Sequence, residues 1–200
     1  MLTKVPLGLY AAGMFLEPRF VPSCTPELLK ACGELAGKYG LPVQSHLSEN
    51  VSEIEWVAHC PTSNFNLSSG IAPVRSFLDE GLRVGLGSDI SGGHDLNMFR
   101  MLVYAIQVSK MHYQMDHSKA FLTLPEVFWI ATKSAGNFFG KVGSFEPGYD
   151  FDALVIDDEI LHPDEYSLPH RLERYIYLGD DRQIVHRFCR GQEVLEPAEK

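Results

Sequence analysis

The sequence has 200 residues, of which 45% are hydrophobic and 22% are charged, so its composition is that of a globular protein and excludes a mainly disordered chain. A net charge of −9 argues against a nucleic-acid backbone as the main partner, because phosphate binding needs clustered Lys and Arg. The length suits one domain or one domain with an appendage, and it is short of the roughly 250 residues that a complete (β/α)₈ barrel typically needs.

The sequence also predicts the cellular compartment and whether the chain crosses a membrane. No apolar run reaches the ~18 residues of a membrane span, and the N-terminal residues lack the pattern of a secretion signal. The four cysteines show neither close metal-site spacing nor a dense disulfide framework: Cys24, Cys32, Cys60 and Cys189. We therefore expect reduced thiols, a cytoplasmic location and no membrane partner.

The first predicted elements alternate between strand and helix. Residues 16–21 are typical of a strand end, and residues 27–39 have apolar side chains at helical spacing. Thr25 is expected to cap that helix and Gly40 to end it. Residues 41–46 follow as a short strand. A helix followed closely by a strand indicates an α/β architecture.

An abrupt join comes next. Residues 50–57 begin like a helix, and they run without a turn residue into 58–61, which is typical of a strand end and loop. Connections between such elements usually have about 2–6 residues. The join therefore indicates that a segment is missing here.

The remaining elements divide into two groups. Before residue 140 we predict a helix over 72–80, a strand over 83–89, and helices over 95–111 and 124–139. After it come a turn-rich segment, 143–148, and strands over 152–157, 184–188 and 193–195. We expect residues 1–142 to form one domain and residues 143–200 to belong to a small β-domain.

His46 and Glu49 form a His-x-x-Glu motif directly after a predicted strand. Loops at the carboxyl ends of strands carry the sites of α/β folds. A His there can ligate zinc, and a Glu three residues later can move a proton of the metal-bound water. The alternative is a solvated loop His and a Glu in the first turn of the next helix.

Asp89 ends the strand 83–89 and is followed by Gly92 and Gly93. This position suits a metal ligand or a base acting on water, but a cap of the following helix is an equally ordinary use of Asp. Residues 59–64 concentrate hydrogen-bonding side chains in what we predict to be a loop held by Asx and Ser/Thr turns. His94 is either a site residue or a solvated loop His.

Four segments in this order resemble the amidohydrolase superfamily and, within it, the guanine deaminase family: residues 18–24, 44–50, 59–64 and 85–93. Residues 143–148 and 152–155 are similar to the return of these enzymes to a small β-domain. The resemblance implies a partial (β/α)₈ TIM-like barrel of the amidohydrolase type, with part of the accessory β-domain.

The resemblance also implies a reaction and roles for residues. His46 and Asp89 would ligate Zn²⁺, or alternatively Fe²⁺, and Asp89 would also act as base toward the attacking water. Glu49 would relay the proton to the ring nitrogen. Arg19 and Phe20 would bind the substrate, guanine or a related heterocycle, and the products would be xanthine and ammonia.

Two histidine motifs of the family have no counterpart. No His precedes His46, so the first-strand His-x-His pair is absent, and the sixth-strand His is missing at the join before His59. Zinc sites need three or four protein ligands. His59 and His94 are the candidates for replacements, and we expect this shortened chain to be very weakly active or inactive.

Two other functions compete with guanine deamination. One is another heterocycle deaminase or a chlorohydrolase of the same superfamily. The other is a non-catalytic remnant that self-associates, because an exposed barrel edge presents unpaired backbone groups. We expect a homo-oligomer, most simply a dimer. Zinc content distinguishes an enzyme from a remnant.

Overall fold

A computed structural model describes residues 25–40, 56–161 and 166–194 of the chain. The chain divides into two compact units, Met1–Ile54 and Glu55–Lys200. The strands predicted over 16–21 and 41–46 lie outside the described residues.

The described part of the first unit is helix α1 (Pro26–Tyr39). The Thr25 side chain accepts a hydrogen bond from the backbone N–H of Leu28 at 3.2 Å, which satisfies one of the free donors of the first turn. Gly40 ends the helix at φ +62°, a conformation that glycine adopts without strain. Both predicted boundary residues are confirmed.

The second unit begins with two parallel strands, β1 (Trp56–His59) and β2 (Arg83–Leu86). Helices α2 (Pro61–Asn66) and α3 (Val74–Asp79) lie between them in the chain. Because the strands are parallel, both carboxyl ends lie at the same edge of the pair. This β–α–β order is what the partial barrel prediction requires.

Two predictions in this stretch are wrong. Trp56 and Val57, placed at the end of a helix, belong to β1, while residues 50–55 lie outside the described residues. Residues 61–64, part of the loop predicted over 59–64, belong to α2. Pro61 opens that helix at its first turn, where the missing N–H of proline costs nothing.

The core is formed by long helices packed on the strand pair. α4 (Met98–Met115) begins later than predicted, because the Asn97 side chain accepts from the N–H groups of its first turn. α5 (Leu124–Trp129) continues as a π-helical segment, Ile130–Ser134. The buried apolar side chains of this region are Val57, Val74, Phe77, Val84, Leu86, Met101, Leu102, Ala105, Ile106, Val108, Leu122, Val127 and Ile130.

The C-terminal part is an antiparallel sheet with a helix. β3 (Ala153–Ile156), β4 (Ile184–Cys189) and β5 (Gln192–Glu193) pair in the order β3-β4-β5. α6 (Leu168–Leu178) precedes β4 and was not predicted. Within the described ranges, no helix is both long enough and apolar enough to cross a bilayer.

Candidate active site

The carboxyl edge of the β1–β2 pair carries the predicted site residues that the structure describes. β1 leads into α2, and β2 leads into a turn over residues 87–94. The Gly87 N–H donates to the His59 carbonyl at 3.0 Å, which extends the pairing to this edge. The α2 helix and the 87–94 turn therefore lie side by side, as expected for a site between two barrel strands.

Asp89 is held in the turn by its backbone and by its side chain. Its φ of +45° lies in the left-handed region, which non-glycine residues rarely adopt outside turns and sites. Its carbonyl accepts from the Gly93 N–H, closing the turn. Ser63 of α2, a buried residue, donates its hydroxyl to Asp89 Oδ2 at 2.5 Å. The carboxylate is thus held by a residue 26 positions earlier.

Two glycines make room for this arrangement. A Cβ atom on Gly92 would lie 2.6 Å from Ser63 Oγ and 2.7 Å from Asp89 Oδ2, so a side chain there would intrude on the hydrogen bond. A Cβ atom on Gly93 would lie 2.1 Å from the Ser88 carbonyl oxygen and 2.6 Å from Thr62 Oγ1. The Gly-Gly pair after Asp89 is therefore required by close packing.

His94, at the end of the turn, is also connected to α2. Asn66 Nδ2 lies 2.8 Å from the Gly92 carbonyl oxygen and 3.2 Å from His94 Nδ1. The His94 ring meets the Tyr104 ring of α4 edge to face, with centroids 5.9 Å apart. The exposed His94 is therefore an oriented residue of the turn rather than a freely solvated one.

Cys60 faces the same turn. A Cβ atom on Gly87 would lie 3.0 Å from Cys60 Sγ. Burial, and secondarily the negative charge of Asp89, raises the pKa of the Cys60 thiol to about 11. The thiol therefore stays protonated at neutral pH, where it is neither a nucleophile nor a good metal ligand.

His59 lies on the other face of the strand pair. It is in register with Leu86, and both are buried, whereas Gly87 and Cys60 share the opposite face because side chains alternate along a strand. Its Nδ1 atom is buried and finds no hydrogen-bond partner among the residues that the structure describes. Desolvation lowers the pKa of His59 to about 4, so the ring is neutral at physiological pH. Its proposed use as a replacement ligand stays a prediction, which this placement does not favour.

The other predicted site residues are not placed. His46, Glu49, Arg19 and Phe20 lie outside the described residues. Within the part of the chain that the structure covers, no three His, Cys, Asp or Glu side chains lie close enough together to hold a metal ion. Asp89 supplies one carboxylate, so the described donor set does not by itself fit a zinc centre, which takes three or four protein ligands.

Two contributors were not identified as such from the sequence. Ser63 was placed in the predicted loop 59–64 and Asn66 in no predicted element, and their bonds to the Asp89 turn join residues 26 and 28 positions apart. The signal was available in part, since residues 61–66 have a proline at the first position and four hydrogen-bonding side chains on one short element.

The family model for the amidohydrolase family matches residues 55–194, more than half of the sequence. The chain belongs to the amidohydrolase family. The partial (β/α)₈ barrel expected from the sequence is the fold type of this family, and the described strands and helices agree with it. The C-terminal sheet β3-β4-β5 lies within the matched residues.

Guanine deaminases are among the curated relatives of this amidohydrolase. The chain is 33% identical to the probable guanine deaminase of Schizosaccharomyces pombe and 32% identical to the guanine deaminase of Dictyostelium discoideum. Each alignment covers 90% of this chain, but 45% and 52% of the relatives. The chain therefore spans about half the length of the curated relatives it matches.

The solved structures that resemble this chain also include guanine deaminases. A guanine deaminase from C. acetobutylicum with guanine bound in its active site is 46% identical, with a TM-score of 0.81 over 89% of this chain and 54% of that one. The E. coli guanine deaminase, at 24% identity and a TM-score of 0.76, shows the shared fold alone.

The alignments also show internal shortening. The match to the S. pombe protein extends over 238 positions, whereas 90% of a 200-residue chain is about 180 residues, so about 58 aligned positions have no residue here. This amidohydrolase is therefore shortened internally as well as covering only part of its relatives. That the gap lies at residues 56–58 stays a prediction.

Proposed function

We propose that this chain represents a guanine deaminase, which hydrolyses guanine to xanthine and ammonia. The observation that carries the proposal is the 46% identity, at a TM-score of 0.81, to a guanine deaminase that holds guanine in its active site. Asp89 supports it, because the turn after β2 fixes a carboxylate at the edge where barrel enzymes place their chemistry.

In the proposed reaction, water attacks the ring carbon that bears the amino group. Asp89 accepts a proton from that water, and Glu49 relays a proton to the ring nitrogen before ammonia leaves. The Arg19 guanidinium donates to the purine carbonyl, for which its planar fork is suited, and Phe20 contacts the ring. We propose a cytoplasmic enzyme of purine breakdown, with residues 1–142 as the barrel part and residues 143–200 as the accessory part.

The proposed metal site has too few protein ligands in this chain. Zn²⁺ is present in an adenosine deaminase from Xanthomonas campestris that shares the fold, and Fe²⁺ is the alternative. His46 and Asp89 are the proposed ligands, which are fewer than a zinc site takes. We therefore assign no step to the metal, and we expect guanine turnover far below the ~10 per second that is ordinary for enzymes.

A deamination assay combined with metal analysis of the same sample tests the proposal. Xanthine and ammonia are measured with guanine as substrate, hypoxanthine and ammonia with adenine, and released chloride with a chlorinated triazine, each with and without added Zn²⁺. We expect weak turnover that is specific for guanine. Glu49→Gln should lower it by about 10²–10⁴ while the bound metal is kept, because the amide keeps the shape but cannot accept the proton. His46→Ala should lose both metal and turnover.

The matched control is Glu27→Gln, on the exposed surface of α1, which should change nothing. Near-full turnover of Glu49→Gln would contradict the assigned mechanism, and preference for adenine or the triazine would contradict the substrate. Turnover near 10 per second with one tightly bound zinc would show that the ligand set is different, with His94 and His59 as the next candidates.

The sequence lacks the first-strand His-x-His pair and the sixth-strand His, which favours one second function, a non-catalytic remnant that self-associates as a dimer. It predicts no guanine turnover and no guanine binding in equilibrium dialysis. Sedimentation equilibrium measures the oligomeric state in either case. A monomer without turnover would contradict both functions.

A further inference from the structure

We infer that helix α2 is a positioning element that sets the orientation of Asp89 and the ring tautomer of His94, so that one turn presents both an acceptor and a donor. The use of these groups in catalysis rests on the proposed function, whereas their orientation by α2 does not.

Asp89 is oriented through one of its two oxygen atoms. Ser63 donates to Oδ2, and among the described residues Oδ1 receives no hydrogen bond. A carboxylate can accept several hydrogen bonds, so with respect to the described residues Oδ1 keeps its full capacity as an acceptor. Because Ser63 is buried and Gly92 closes over the bond, rotation of the carboxylate would break a hydrogen bond away from bulk water.

His94 is oriented through Asn66. The Gly92 carbonyl can only accept, so the Asn66 atom facing it at 2.8 Å is the NH₂ group. The same NH₂ group lies 3.2 Å from His94 Nδ1, which must therefore act as an acceptor. A neutral imidazole that accepts at Nδ1 carries its proton at Nε2. The exposed ring thus offers an N–H donor, the group that a heterocycle's carbonyl oxygen or ring nitrogen can accept from.

Helix α2 is itself firmly placed. Pro61 and Thr62 are fully buried, and Thr62 Oγ1 lies 3.6 Å from Met101 Sδ in the core. Sites held by packed elements keep their geometry better than sites held by loops alone. The donor–acceptor pair on the 89–94 turn therefore inherits the rigidity of the core through two side chains, Ser63 and Asn66.

The first test reads the His94 tautomer by ¹⁵N NMR of the ring nitrogens at pH 8. In the unmodified protein, Nδ1 should resonate as an unprotonated nitrogen. Asn66→Asp replaces the donor by an acceptor and should move the proton to Nδ1, and Asn66→Ala should give a mixture. The matched control is Asn64→Ala on the same helix, whose side chain bonds Ser69 instead. Unchanged His94 spectra in both Asn66 variants would overturn this part.

The second test reads the Asp89 turn through amide hydrogen exchange at Gly93, whose N–H donates to the Asp89 carbonyl. Ser63→Ala should accelerate that exchange about tenfold and leave Val84 in β2 unchanged. In an Asp89→Ala background, the same Ser63→Ala change should have less than a twofold effect, because its partner is already gone. Equal effects in both backgrounds, or none, would overturn the assignment.

Kinetics then separate the orientation from the function. If guanine turnover is measurable, Ser63→Ala should lower kcat about 10- to 100-fold, as is common when a residue that orients a reacting group is replaced. Asn66→Ala should mainly raise KM. Absence of both guanine turnover and guanine binding in the unmodified chain would count against the proposed function alone, since the NMR and exchange measurements still decide the role of α2.

Discussion

The parallel strand pair and the C-terminal sheet use the same secondary structure for different purposes. In β2, Val84 is completely buried, and the strand ends at the Asp89 turn. In β3, Leu154 and Val155 are 46% and 42% exposed, and none of the residues of β3, β4 and β5 is buried. The first region therefore supplies the core that holds the candidate site, while the second is a surface sheet.

The C-terminal part is joined to the core through α6 rather than through its strands. Tyr175 and Ile176 of α6 are each 2% exposed, and the Tyr175 ring meets Phe99 of α4 edge to face at 4.9 Å. Aromatic pairs of this geometry add to the stability that their burial provides. Damage to the sheet should thus spare the site, and damage to the core should not.

The largest expected effect is that of Met101→Ala in α4. Met101 is fully buried, and truncating such a side chain typically costs about 2–5 kcal/mol, through lost burial and the cavity that remains. Met111→Ala on the same helix, where the side chain is 61% exposed, should change the free energy of unfolding by about 0.5 kcal/mol or less. Urea denaturation measures both. Similar losses for the two variants would show that the core is not where we place it.

Acid should destabilise the parallel region through His59. Burial lowers its pKa from 6.5 to about 4, so below pH 6.5 the unfolded chain takes up a proton that the folded protein does not. The stability is therefore fully present above pH 6.5 and falls as the pH drops from 6.5 to 4, by about 3 kcal/mol.

The control for the acid effect is His59→Leu, which removes the titrating group and keeps an apolar side chain. Unfolding by urea between pH 4 and 7 measures the slope for both proteins. The variant should lose most of the pH dependence in this range. Parallel pH profiles for the two proteins would show that His59 is protonated equally in both states.

The smallest expected effect is that of a valine-to-alanine change in the C-terminal sheet, compared with the same change in the parallel strand pair. Val155→Ala in β3 should cost about 0.5 kcal/mol or less, because the side chain is already half in water. Val84→Ala in β2 removes two buried methyl groups and should cost about 2 kcal/mol. Thermal unfolding of the pair measures the difference, and a larger loss at Val155 would mean that another surface covers β3.

Elements that local rules determine were predicted well from the sequence. The Thr25 cap and Gly40 mark both ends of α1, and the apolar run with its following glycines identifies β2 and the Asp89 turn. α6 was missed although Leu172, Tyr175 and Ile176 have helical spacing after Pro169. The α2 helix was missed because Thr, Ser and Asn favour turns over helices when no tertiary contact is known.

Within the described residues, the sequence indicated Asp89 as a candidate site residue but not how its side chain is held. The place of Asp89 after a strand indicated an acid at a functional edge. Its orientation depends on Ser63, and the opposite placement of His59 depends on strand register, which no local pattern reveals. Long-range hydrogen bonds follow from the packing of the whole unit, so they require coordinates rather than spacing.

The π-helical segment after α5 makes this unit sensitive to chain length. At the end of the segment, Ser134 donates to the Val84 carbonyl at 2.6 Å. The next residue, Ala135, lies against Gly85, where a Cβ atom added to the glycine would be 3.3 Å from the Ala135 Cβ. A π turn contains one residue more than an α turn, and each helical residue rotates the chain by about 100°. Deleting any single residue of Ile130–Ser134 would restore α-helical spacing and turn both contacts away from β2. Substitutions in this helix can be compensated by repacking, but a change of one residue in its length cannot.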